Sequence, residues 1–149
     1  MLARTALDPQ EALVCTMVLV AAADSGGISD AEIGVMAGLV QTLPVFHNFS
    51  TEQLEAATDA VINLLREEEG LAHAGRLVRD ALEPRLRETA YALACDVVAA
   101  SRAHGQSMLR MLEFVMNELR IDPLVAAAIE RGARARHQRV ERSGSEFTT

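Results

Sequence analysis

Residues 8–33 read DPQEALVCTMVLVAAADSGGISDAEI, and their punctuation decides the fold. Asp8 stands where a helix N-cap belongs, Pro9 takes the first helical position, and Glu11 falls where a capping box needs it. The run 12–23 is apolar apart from Thr16 and ends at Gly26-Gly27, a stop signal. Ser29-Asp30-Ala31-Glu32 then opens a second helix with a second capping box. The stretch is a helical hairpin.

The same punctuation runs along the rest of the chain. Ser50-Thr51-Glu52-Gln53 is a third capping box, and Glu83-Pro84 and Asp122-Pro123 place proline where helices begin. Pro44, Gly70 and Gly105 mark stops. The expected helices are 9–23, 30–42, 51–68, 71–82, 84–103, 107–119 and 123–139. Within 107–119, Met108, Met111, Leu112, Val115 and Leu119 recur at helical spacing as a buried stripe. No segment keeps the period-two alternation of a strand. About seven helices with short connections predict an all-α bundle, a single domain over residues 1–139. The end of the chain, VERSGSEFTT from residue 140, reads as a disordered tail, and its Gly-Ser and Glu-Phe pairs also resemble a cloning scar.

Composition agrees with helices packed on helices. Half of the 149 residues are apolar and 3% are aromatic, so the core is aliphatic. A chain of this length buries roughly 70% of its unfolded surface. All 14 basic residues are arginine, which reads as the base-composition bias of a GC-rich bacterial genome. Residues 1–75 hold eleven acids against Arg4 and Arg66, a net −9, while 76–149 hold twelve arginines against ten acids, a net +2. Such polarity favours partners or self-association, and the acidic total speaks against nucleic acid.

Cys15 and Cys95 both lie in apolar helical runs, which is no disulfide framework and suits small buried hydrophobes. Only twelve residues separate Glu11 from Asp24, too few to cross a bilayer. Asp8 and Glu11 occupy the place where a signal peptide would be basic. A cytoplasmic protein that is not itself transmembrane is expected.

The opening hairpin recurs. Ala12-Leu13-Val14-Cys15 matches Ala92-Leu93-Ala94-Cys95 at an offset of 80, and Val18 falls on Val98. Beyond the loop the offset becomes 78, with Gly27 on Gly105, Ser29 on Ser107, Ile33 on Met111 and Met36 on Phe114. Neither hairpin can bury its apolar face alone, so the two are expected to pack together.

Ala22-Ala23-Asp24, Gly27-Ile28-Ser29 and Glu32 resemble the A-A-D-G-x-I-S-x-x-E signature of the TerB, or tellurite-resistance, family, with a weaker copy in the later half. The resemblance covers roughly residues 8–139. It implies two related helical halves in a bacterial cytoplasmic protein, a stress-response role, metal binding by the acidic signature residues, complexes at the inner membrane and no catalytic activity. The first loop is at least one residue longer than the family's spacing. In the second copy His104 stands where Asp is expected and Arg110 aligns with Glu32, which speaks against a second metal site.

The implied metal ligands are Asp24, Asp30 and Glu32, hard oxygen donors suited to Ca²⁺ or Mg²⁺. They do not make an EF-hand: counted from Asp24, position 6 is Ser29 and position 12 is Val35. The competing reading is structural, with Asp24 closing the loop, Glu32 completing the capping box and Asp30 favouring the helix dipole. His47, His73, His104 and His137 form no zinc spacing. Glu67-Glu68-Glu69 reads as a solvated helix end. Arg131, Arg134, Arg136, Arg139 and Arg142 form a basic segment that either complements the helix dipole or meets an acidic partner or anionic lipid. No nucleophile elbow or phosphate loop is present, and no catalytic or cofactor residue is assigned. The expectation is a binding domain acting through protein partners. The alternative is a metal-independent adaptor that self-associates or docks through its acidic and Arg-rich surfaces.

Overall fold

The computed structural model describes residues 6–23, 27–101 and 105–141. Within them are seven α-helices: α1 Pro9–Ala21, α2 Asp30–Thr42, α3 Thr51–Leu65, α4 Gly70–Ala81, α5 Pro84–Ala100, α6 Gln106–Glu118 and α7 Pro123–Arg136. A single 3-10 turn, Pro44–Phe46, follows α2, and the described residues contain no strand. The expected tail lies almost wholly outside the described residues.

The three capping boxes form with both arms. Asp8, Ser29 and Ser50 each accept from the backbone N–H three residues on, and Glu11, Glu32 and Gln53 each accept in return from the cap residue's N–H. Asp122 accepts from Leu124 and Val125 at the start of α7. Each such cap stabilises its helix by about 1 kcal/mol.

Several helices end earlier than expected: α1 at Ala21, α3 at Leu65, α5 at Ala100 and α7 at Arg136. The spacing predicts α3 to residue 68, but it stops at Leu65 and the acids 67–69 form the turn into α4. A Cβ on Gly70 would lie 2.2 Å from the Leu64 carbonyl oxygen, so the chain reverses where no side chain fits. Glu69 takes the left-handed conformation, φ 55°, as the N-cap of α4. The Arg-rich α7 ends at Arg136, with the His137 N–H donating to Ala133.

Helix α1 is the axis. Every residue from Ala12 to Ala21 is buried, which explains an apolar run with no exposed face. It packs most closely on α5 and also on α3, α4 and α6. Helix α2 lies across α5, α6 packs on both α5 and α1, and α7 packs on α5 as α3 packs on α1. Helix α4 bridges α1, α3 and α6, and its Gly75 admits Phe114 and Glu118 of α6 at close range. Arg79 of α4 binds Glu118 at 2.6 Å, and Arg87 donates to the carbonyls of Arg79 and Leu82 at the end of α4. No helix among the described residues is long and apolar enough to cross a membrane.

Candidate functional site

The entrance of α2 carries the expected metal ligands. Asp24 lies outside the described residues, as does His104. Asp30 is exposed at the first position of α2. Glu32 is only 4% exposed, and its Oε1 accepts the Ser29 N–H at 2.8 Å while Ser29 Oγ accepts the Glu32 N–H at 3.2 Å. One carboxylate of the expected three is therefore engaged by its own helix cap. Among the described residues no group of three His, Cys, Asp or Glu side chains is gathered to hold a metal. His73 faces Glu67 at 3.7 Å, and its N–H donates to the Glu69 carbonyl in the first turn of α4.

A second constellation, not foreseen from the sequence, lies where α7 crosses α5. Asp96 is buried in the middle of α5, and its Oδ1 accepts from Arg136 Nη2 at 2.7 Å, with His137 Nε2 lying 3.3 Å away. Tyr91, one turn earlier on α5, donates its hydroxyl to Glu130 of α7 at 2.5 Å. Burial, then this bond to Glu130, pushes the Tyr91 phenol well above its ordinary range. Thr16, the buried polar residue of α1, donates its hydroxyl to the Ala12 carbonyl at 2.8 Å and needs no partner helix. Asp96 was the available signal, since an acid inside the apolar run 92–100 must find a cation or hydrogen-bond donors.

Beside this seam, α6 and α7 flank α5 without packing closely on each other, and the gap is a cavity of about 280 Å³. Its floor and apolar walls are Cys95, Val98, Ala99, Leu109, Leu112 and Ala133. Its polar edge comes from α7 and the residues just after it: Glu130, Arg134, His137 and Gln138. Burial, then the charge of Glu130, pushes the Cys95 thiol up to about 12, and burial does the same to Cys15. Both thiols are protonated at neutral pH and act as apolar packing.

The chain matches no protein-family model, no curated protein and no solved structure.

Proposed function

We propose that this chain is a TerB-like, cytoplasmic stress-response domain of the tellurite-resistance type that works by binding, its partner another protein in a complex at the inner membrane. The observation that carries the binding reading is how its internal polar groups are used. Asp96 joins α5 to α7, Tyr91 does so through Glu130, Arg79 joins α4 to α6, and Glu32 caps α2. These ties build a rigid frame whose surfaces are left for recognition. The packing of α1 on α5, the helices that carry the two similar apolar runs, is in keeping with the paired hairpins that the TerB resemblance implies.

A divalent cation, Ca²⁺ or Mg²⁺, held by Asp24, Asp30 and Glu32 belongs to the same reading. In favour, Asp30 and Glu32 both belong to the first turn of α2, where a cation would tie the preceding loop to the helix. The test is titration of chelator-stripped protein with Ca²⁺, Mg²⁺, Mn²⁺ and Zn²⁺, following heat and thermal midpoint together. One equivalent bound, with a raised midpoint that Asp24→Ala abolishes, is the expected result. No heat and no shift at millimolar cation would leave these residues as loop and cap.

The distribution of exposed charge favours a second reading, metal-free association. Glu52, Glu55 and Asp59 line one exposed face of α3, and Arg131, Arg134, Arg136 and Arg139 are exposed at the far end of α7 and beyond it. Pairing of such surfaces weakens as salt is added. Gel filtration at low and high salt with the same elution volume would count against it.

A further inference from the structure

The cavity on α5 between α6 and α7 has a shape and a charge that select a ligand class. At about 280 Å³ it lies just under the ~300–1,000 Å³ of sites for drug-sized molecules, so its occupant is small. The floor offers only the Cys95 thiol and aliphatic side chains, which asks for an apolar body. The polar edge is partly committed. Glu130 takes the Tyr91 hydroxyl and His137 faces Asp96. Arg134 is exposed at the edge and forms no ion pair or side-chain hydrogen bond among the described residues, and Gln138, past the end of α7, lines the same edge. The wall from α6 is Leu109, half exposed, and Leu112. The Arg134 guanidinium therefore stands at the edge of an apolar slot.

From this we infer that the α5–α6–α7 cavity binds a small carboxylate with a short apolar chain, its carboxylate on Arg134 and Gln138 and its chain on Cys95, Val98 and Leu112. The charge of Glu130, one helical turn before Arg134, places the carboxylate toward the Gln138 end. The site is separate from the α2 entrance and needs no metal.

Hexanoate, hexanol and hexylamine share a chain and differ in charge, which makes them the probes. Backbone amide shifts of the full chain, followed by NMR, report both place and affinity. Hexanoate should shift amides at 95–99, 109–112 and 133–138, with a dissociation constant of ~1 mM, fitting for so few atoms. Hexanol and hexylamine should bind at least about threefold more weakly, the preference of a partly exposed ion pair. Arg134→Glu should reverse the order and favour hexylamine, while Arg131→Glu, the same charge change outside the cavity, should preserve it. Both positions are exposed, so both variants are expected to fold. Hexanoate and hexanol binding alike, shifts centred elsewhere, no binding at about 10 mM, or an order unmoved by Arg134→Glu would each overturn the assignment.

Discussion

Glycine has opposite meanings at two places in this chain, and a single methyl group distinguishes them. At Gly70 a Cβ would meet the Leu64 carbonyl oxygen at 2.2 Å and the Leu65 Cα at 3.0 Å, both backbone atoms that cannot rotate away. Gly70→Ala must therefore open the α3–α4 turn, and a loss of roughly 2–4 kcal/mol is expected, typical of forced overpacking against backbone. At Gly34 and Gly38, inside α2, a Cβ would meet nothing within 4 Å. There alanine restricts only the unfolded chain, and each substitution should stabilise by about 0.5–1 kcal/mol. Urea denaturation of the three variants measures all of these. A neutral Gly70→Ala would show that the turn has slack, and destabilisation by Gly38→Ala would show that α2 already meets something on that face. The sequence marks Gly70 as a helix stop and leaves Gly34 and Gly38 as glycines within a helix, with no sign of what a Cβ at any of them would meet. Their difference depends on whether the chain returns past them, which local spacing does not encode.

At the scale of the element, helix starts were legible and the side-chain ties between helices were not. Asp8, Ser29 and Ser50 announce α1, α2 and α3 because a cap is satisfied within four residues of itself. The ties between Asp96 and Arg136 and between Tyr91 and Glu130 span about forty residues. The five arginines therefore read as one basic segment, whereas Arg136 is drawn to Asp96 and Arg134 edges the cavity. The α2 entrance is legible in both its readings, and its cap can be tested as an element. Ser29 and Glu32 serve each other's backbone N–H groups, so Ser29→Ala and Glu32→Ala should each cost about 1 kcal/mol. The double variant should cost less than the sum, because either loss already frees the end of α2. Asp30→Ala, at an exposed position, should cost only about 0.3–1 kcal/mol through the helix dipole, and less as salt is added. Chemical denaturation with and without chelator separates cap from cation. Losses independent of chelator belong to the cap, and a loss that disappears in chelator would assign these residues to a bound ion.

The molecule as a whole is organised on two buried helices, α1 and α5, and each carries one thiol into the core. The packing of α1 on α5 agrees with the expectation, drawn from the two Ala-Leu-x-Cys runs, that the hairpins carrying them pack together. The packing of α2 on α5, a helix of the later half, was not anticipated, because it is a property of the assembled chain. The arrangement makes stability depend on alkaline pH. Each thiol has an ordinary value of 9.0, which applies in the unfolded chain, and burial raises it to about 12 in the fold. The folded state thus holds both protons more tightly than the unfolded state does. The two contributions are complete below the ordinary thiol value and are lost as pH rises through the window up to the folded value. Within that window each thiol removes about 1.4 kcal/mol per pH unit, an order-of-magnitude slope. The raised Tyr91 phenol acts in the same direction at higher pH. Thermal melts from neutral pH to about pH 11 should therefore fall steeply once the free thiol range is passed. Cys15→Ala should melt lower than the parent at neutral pH, by about 1 kcal/mol of lost packing, yet decline less steeply in alkali. Cys15→Ala/Cys95→Ala should be flatter still. If all three profiles fall in parallel, the thiols are not the titrating groups, and the α1–α5 seam would have to be open enough to let a thiolate reach water.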